Sequence, residues 1–600
     1  MADSRIEQAL REALALHQSG QLSEAEPIYR RILAERPTHA DSLHLLGFLN
    51  FQKGQVQSAV EMIQQAIQLR PEAPVYHNNL GTVFEKSGRT EAAVAAYRNA
   101  LRLDPNYAEA HCNLGNVLQT LGLLDEAIAC YETALSHSPG YFPAQFNLGN
   151  LFKEQGQMDE AVARYRRAVE LNPSLSSIHS NLLLALHYDV GCSASELAEE
   201  HRRWNMRHAS PLKPLIRPHG NVRDEERPLR IGYVSPDFCA HAVARFLLPL
   251  LENHNHACFR IFAYSDVSVP DCLTARIESH VDGWRDSARM DDAQLAELIR
   301  QDEIDVLVDL AGHTAKGRLL AFARRPAPVQ VYYLAYCSTT GLDAMDYRIT
   351  DPFLDPEGTD LANYAEKSLH LPKTYWCYSA PDLPLRVGPM PEPEVGLVTF
   401  GCLNNFCKVS DVTLQTWGNL LRAVPNSRLL LCAGTNRQRL RVQEALCANG
   451  VERSRVRYVG VQSFSDYMAT YQQIDIGLDP FPFTGGTTTC DALWMGVPVV
   501  SLAGRTAVSR GGLSLLSNVG LPEFVARTED DYVRIAMELA TDRPRREKLR
   551  DSLRARLQAS PVMDGRAFAR NIEATFRNVW RIWCRTARGG TTTTAPDWTI

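Results

Sequence analysis

A period of 34 residues runs through the first third of this chain and constrains its fold more than any other feature. Pro37, Pro71, Pro105, Pro139 and Pro173 fall 34 apart, as do Gly20, Gly54, Gly88, Gly122 and Gly156, and Ala25, Ala59, Ala93, Ala127 and Ala161. Three registers at one spacing mean one structural unit repeated five times, with a trailing half unit from Ser174 to about Tyr188. The small Ala and Gly positions let paired helices touch closely, Tyr29, Tyr97, Tyr131 and Tyr165 fill between them, and Pro closes each unit. A unit of this size cannot bury its apolar face alone. The copies are therefore expected to stack over residues 4–190 into a right-handed superhelix with a concave groove.

This is the tetratricopeptide pattern. Asn79, Asn113, Asn147 and Asn181 form a further register at the same spacing, within the first helix of their units. Asn is a mediocre helix former, so its repeated use asks for a reason. One reason is a ladder of amides facing the groove and binding the backbone of an extended protein acceptor. The other is packing between helices.

Beyond residue 190 the period is lost. SELAEEHRRWNMRHAS reads as one more amphipathic helix, and residues 191–228 as a linker helix and charged connector. LRIGYVSPDF, FRIFAYS, IDVLVDL and VQVYYLAY then alternate with helical stretches over 229–380, the pattern of a parallel doubly wound sheet. A Pro-rich bridge, 381–396, leads to a second such series over 397–585, with strands in VTFGCLN, SRLLLCAG, RVRYVG, IDIGLDP and VPVVSLAG. The late stretch from Phe568 to Trp583 reads as an amphipathic helix that packs back on these halves, and 586–600 as a disordered tail. The fold class is thus α followed by α/β, a helical superhelix and two Rossmann-like halves facing across a cleft.

A formal charge of −6 over 600 residues offers no basic field for nucleic acid or anionic membrane. The fourteen cysteines form no CxxC pair or Cys/His cluster, which points to a reducing compartment and no zinc site. MADSRIEQAL has neither a basic n-region nor an apolar h-region, and no apolar run reaches about 18 residues. A soluble, cytoplasmic protein is expected.

The chemistry is expected to converge on FPFTGGTTTCDALWMGVPVV, Phe481 to Val500. A strand runs into a Gly-rich turn, then a short helix, then a second strand. Gly485 and Gly486 clear side chains from the backbone, while Thr487, Thr488 and Thr489 offer N–H and hydroxyl donors at the positive end of the helix, an anion site. Asp491, one turn in, can accept from sugar hydroxyls at the same mouth. The competing reading is a tight turn with Thr caps and an Asp favouring its own helix dipole. His241 follows the first strand of the first half, where reacting groups gather, and suits proton handling near neutral pH. His313 closes another strand, with Lys316 adding charge. His254, His256 and His280 read as surface or capping histidines.

Taken together, the repeats followed by GYVSPDFCAH, GHTAKGRLLAFARRPAPVQVYYLAY, STTG, FGCLNNFCKVS and GGTTTCDALWMGVPVV resemble the nucleocytoplasmic protein O-GlcNAc transferases and their Spindly-type O-fucosyltransferase relatives. The resemblance covers roughly residues 4 to 585. It implies an inverting, metal-independent and cofactor-free GT-B glycosyltransferase that moves a sugar from a nucleotide donor onto Ser or Thr of proteins. It implies that Lys408 holds the diphosphate with Asn405 beside it, that Thr487 and Thr488 add donors, that Asp491 binds the ribose, and that His241 serves as base or in positioning. A leaving diphosphate needs positive charge in place when no metal supplies it, which fits Lys408. Asp305 and Asp309, and Asp475 and Asp479, do not read as metal-binding pairs. Two departures bear on the sugar: animal-type enzymes of the family carry His where this chain has Gly486, and a YPG turn where it has Tyr336, Cys337 and Ser338. The Gly486–Cys490 run is similar to the Spindly branch. UDP-GlcNAc is the expected donor and GDP-fucose the alternative; an inactive tetratricopeptide scaffold is the rival of another class.

Overall fold

The computed structural model describes residues 2–391 and 396–586. The expected tail lies, Thr586 apart, outside the described residues, as do 392–395 of the bridge. The chain divides into two compact units, Met1–Leu151 and Phe152–Ile600.

The first unit is a series of helix hairpins: α1 (Ala2–Gln18), α2 (Leu22–Glu35), α3 (Ala40–Gln52), α4 (Val56–Leu69), α5 (Pro74–Lys86), α6 (Thr90–Leu103), α7 (Ala108–Thr120), α8 (Leu124–His137) and most of α9 (Phe142–Glu154). Gly20, Gly54, Gly88 and Gly122 each sit at φ between +75° and +81° between paired helices, a left-handed turn that other residues enter at a cost. Ala25, Ala59, Ala93 and Ala127 are fully buried. A further glycine register, Gly81 and Gly115, has its own cause: a Cβ there would lie 2.6 Å from the Tyr97 ring and 2.7 Å from the Tyr131 ring. Ring and missing side chain are one packing device.

The second unit begins with the end of α9 and continues through α10 (Met158–Leu171), α11 (Ser176–Leu186) and α12 (Ala194–Trp204), the last started by a capping box on Ser193 and Glu196. Two parallel sheets follow. The first contains β1 (Leu229–Ser235), β2 (Phe259–Ser265), β3 (Gly283–Asp286), β4 (Val306–Asp309), β5 (Val329–Tyr332), β6 (Tyr347–Thr350) and β7 (Lys367–His370), in the order β3-β2-β1-β4-β5-β6-β7. The second contains β8 (Val398–Cys402), β9 (Ser427–Cys432), β10 (Val456–Val459), β11 (Ile476–Leu478), β12 (Val499–Leu502) and β13 (Val525–Ala526), in the order β10-β9-β8-β11-β12-β13. In both sheets the order reverses beside the first strand of the half, the switch point at which such sheets open a crevice beyond their carboxyl ends. The last described helix, Gly565–Thr586, packs on the first half through buried Phe568, Ile572, Phe576 and Val579.

His254 is buried, not superficial: Glu573 accepts from its Nδ1 at 3.0 Å, and its Nε2 accepts from Tyr233 at 2.9 Å. A larger group joins α11 and α12 to the first sheet. His179, His187, His201, His208 and His313 are all buried, with ring centroids 5.7 Å apart for His187 and His201, 5.1 Å for His201 and His313, and 5.3 Å for His179 and His208. Glu200 meets His179 at 2.9 Å. Burial pushes His201 and His208 down to about 4, and His187 and His313 well below the ordinary value. The fold therefore holds these rings neutral, whereas the unfolded chain protonates them near pH 6.5. Their contribution is present above that pH and is lost as pH falls from it toward 4. The Tm of the full chain should drop on the order of 5–10 °C between pH 7 and 5, and His208→Gln should flatten the decline; a Tm flat with pH would contradict the neutral cluster.

Candidate active site

A cleft of about 280 Å³ opens where the carboxyl ends of the two sheets face each other. The first half contributes His241 after β1, the segment Leu334–Cys337 after β5, Phe246 and Trp376; the second contributes Asn404, Asn405 and Lys408 after β8, Phe483–Thr488 after β11, and Val508 and Gly511 after β12. A neighbouring cavity of about 330 Å³ borders Ser338 and Thr339 on the same loop, but its buried Arg510 is already held by Leu354 O and Arg505 O.

The Gly-rich turn is fixed from below. Asp479, buried just past β11, accepts from Thr489 Oγ1 at 3.0 Å, and Asn404 Oδ1 accepts from Thr488 Oγ1 at 2.8 Å. These two bonds seat the helix Thr487–Trp494 with its N-terminus at the cleft. Its N-cap is Gly486, which brings no side-chain acceptor to the first turn, so the positive end of the helix is left to a ligand. Burial raises the Asp479 pKa, while Ser501, Thr489 and Lys408 oppose the rise.

Lys408 ends a short 3-10 turn, Phe406–Lys408, that Asn405 caps by accepting from Cys407 N at 3.2 Å. Its ammonium donates to Thr484 O at 2.9 Å and sits 4.5 Å from the centre of the Phe483 ring. Burial lowers its pKa; Cys407 and Asp479 pull the other way. A cation held in an apolar wall by one carbonyl has donors to offer an anion.

His241 caps the helix α13 (Ala242–Leu251) by accepting from Val243 N at 3.3 Å through Nδ1, with Asp237 Oδ2 3.5 Å away. A neutral ring so placed carries its proton on Nε2. The other residues predicted from sequence are elsewhere. His313 Nε2 donates to Thr340 O at 2.8 Å and its Nδ1 bonds Ser180 Oγ at 3.0 Å, inside the histidine cluster, so its ring belongs to the core and not to the cleft. Lys316 is exposed, donates to Ser268 Oγ at 2.6 Å and does not line the cleft, though its charge acts on Asp237 beside His241. Asp491, expected from sequence at the ribose, is engaged by side chains of the chain itself. Its carboxylate is 1% exposed and accepts two bonds from Arg245, at 2.7 and 3.0 Å, one from Tyr378 at 2.5 Å and one from Tyr467 at 3.1 Å. Both oxygens are engaged, and Asp491 does not line the cleft. Burial acts to lower the Arg245 pKa, and Asp491 with Tyr378 outweighs it and holds the guanidinium above its ordinary value.

Asn404, Phe246, Trp376 and Phe483 were not singled out from sequence. Asn404 and Phe483 lie one or two residues from positions that were. Trp376 carries no local signal, yet its indole N–H finds no partner among the described residues. The asparagine register is half-buried, and its amides bond within the repeats: Asn79 Nδ2 to His44 Nε2 at 2.8 Å, Asn113 to Asn78 Oδ1 at 3.0 Å, Asn147 to Asn116 Oδ1 at 2.7 Å, and Asn181, in the second unit, to Ser177 O at 2.9 Å. No helix among the described residues is long and apolar enough to cross a membrane.

The model of glycosyl transferase family 41 matches residues 172–380 and 390–572, and tetratricopeptide models match 16–80, 86–122 and 106–174. The chain is 40% identical over 426 residues to the probable UDP-N-acetylglucosamine–peptide N-acetylglucosaminyltransferase SPINDLY of Arabidopsis thaliana, an alignment covering 69% of this chain and 46% of that protein. It is 31% identical over 391 residues to the Arabidopsis thaliana protein of the same description called SEC, covering 62% and 39%. The chain thus spans about half the length, or less, of these curated relatives. Among solved structures, a mutant of the Thermobaculum terrenum O-GlcNAc transferase superposes with a TM-score of 0.79 at 36% identity, over 86% of this chain and 98% of that one. The two Rossmann-like halves that follow the repeats have the GT-B fold.

The two turn glycines differ in what they tolerate. A Cβ on Gly485 would lie 2.4 Å from Thr489 Oγ1 and 2.7 Å from Asp479 Oδ1, whereas one on Gly486 meets nothing nearer than Trp376 at 3.5 Å. Gly485→Ala should therefore cost about 1–3 kcal/mol in urea denaturation, by breaking the Thr489–Asp479 seat, and Gly486→Ala less than about 0.5 kcal/mol. Equal losses would contradict this packing.

Proposed function

The chain belongs to glycosyl transferase family 41, and on that footing we propose that it transfers a sugar from a nucleotide donor to Ser or Thr side chains of proteins, with UDP-GlcNAc as donor. The observation that carries the reading is the convergence of the Lys408 ammonium and the uncapped N-terminus of the helix Thr487–Trp494 on one cleft. The donor assignment follows the relatives described as N-acetylglucosaminyltransferases; GDP-fucose is the second reading, supported by the Spindly-like run Gly486–Cys490.

In the proposed reaction the acceptor hydroxyl attacks the anomeric carbon from the face opposite the leaving diphosphate, inverting the configuration, and its proton passes by way of solvent to the departing diphosphate. As the glycosidic bond breaks, charge grows on the diphosphate oxygens, and Lys408 with the amides at Thr487 and Thr488 stabilises that charge in a wall of low polarity. Lys408 is kept close by Thr484 O and Phe483, so little reorganisation is needed when the charge appears. His241, with its Nδ1 engaged by Val243 N–H, is proposed to donate from Nε2 and so orient donor or acceptor at the rim, and Asn405, on the cleft wall, to lie beside the diphosphate. The reading is metal-independent, because Lys408 and the helix terminus supply the positive charge from the chain itself. Protein acceptors are proposed to lie along the tetratricopeptide groove and to be met there by Asn79, Asn113, Asn147 and Asn181. Their Nδ2 bonds within the repeats give them a packing role as well.

In a thermal-shift panel of UDP, GDP, UDP-GlcNAc and GDP-fucose, one nucleotide with its sugar should raise the Tm, and that pair names the donor. Lys408→Ala should lower transfer about 10²–10³-fold with the fold intact, and EDTA should leave the rate unchanged. Full turnover by the Lys408 variant, or strict dependence on added manganese, would overturn the mechanism.

A further inference from the structure

Tyr188 lies just beyond the last turn of α11, at the end of the trailing half unit of the repeats, and lines no part of the cleft. Its ring stacks on Phe483 with centroids 4.9 Å apart and planes inclined by 29°. Its hydroxyl lies beside the thiol of Cys407, the residue next to Lys408. Phe483 is the same ring on which the Lys408 ammonium rests, and Thr484, its neighbour, supplies the carbonyl that accepts from that ammonium. One side chain thus grips both loops that make the cationic wall, the Asn405–Lys408 turn after β8 and the Phe483–Thr484 segment after β11.

We infer that Tyr188 is a positioning residue for Lys408: the end of the repeat array clamps Phe483 and Cys407, and through them sets where the ammonium meets the donor diphosphate. This rests on the reading of Lys408 as the diphosphate contact. Removing the ring frees Phe483 to tilt, and the ammonium loses both its aromatic face and the fixed position of Thr484 O. The charge stays in the cleft, but it is no longer held at one point. Removing only the hydroxyl keeps the stack and loses the weaker thiol contact. The trailing half unit thereby supports the donor site without touching the donor.

A double-mutant cycle tests it, with UDP and GDP affinities measured by calorimetry on the full chain. Tyr188→Leu should weaken the nucleotide that binds wild type about tenfold, and Tyr188→Phe about twofold at most. Lys408→Ala should weaken it further, and adding Tyr188→Leu to Lys408→Ala should then change nothing more, because the residue to be positioned is gone. If Tyr188→Leu binds like wild type, or its loss persists undiminished beside Lys408→Ala, the positioning role is overturned while the Lys408 reading stands. If Lys408→Ala alone binds as tightly as wild type, the diphosphate reading falls and the inference with it. A Tm for Tyr188→Leu within a few degrees of wild type separates loosened positioning from unfolding; a collapse of the Tm with affinity restored at low temperature would mark Tyr188 as structural.

Discussion

Arg245 and Asp491 form a buried, bidentate charge pair between α13 of the first catalytic half and the helix Thr487–Trp494 of the second. Much of the cleft geometry depends on it. Phe246, the next residue on α13, lines the cleft, and Thr487 begins the helix that Asp491 anchors one turn later. Fixing the pair therefore fixes the separation between the aromatic wall and the positive helix end. Two charges taken out of water are tolerable only with their remaining lone pairs satisfied, and Tyr378 and Tyr467 do this for Asp491. Loss of one partner would strand the other, at a cost of about 3–5 kcal/mol.

The anion site is built on this joint by removal as much as by addition. Gly485 vacates the space that Thr489 and Asp479 need in order to bond, and Gly486 ends the turn without a capping acceptor. Lys408 brings a full charge to the same place, and its Thr484 and Phe483 contacts belong to the loop that leads into those glycines. The wall is thus a single mechanical piece, in which the cation, the glycine turn and the helix terminus share supports.

How much of this was legible in the sequence depends on how local each cause is. The repeats were readable because Gly20 and its equivalents adopt a backbone that few other residues adopt, and Ala25 and its equivalents are buried in every copy. The strands β1, β2, β4 and β5 were readable as apolar runs. β3, β6, β7 and the two-residue β13 were not, because GWRD, YRIT, KSLH and VA are short or mixed in polarity. The motif after β11 and the LNNFCK turn mapped to the cleft because local chain geometry puts them there. The partners of Asp491 and His313 were not legible for the opposite reason: Arg245 and Ser180 lie 246 and 133 residues away, and no spacing rule announces such a pairing. Trp376 escaped notice because its place is set by tertiary packing alone.

The room beside Gly486 has an evolutionary consequence. The position sits on the cleft wall, yet the joint, the glycine turn and the lysine are all supported from other directions, so a side chain grown there would alter what the cleft admits without disturbing what holds it together. A scaffold arranged in this way can exchange one donor for another by substitution at its rim, and related chains can diverge in sugar chemistry while their frames remain superposable.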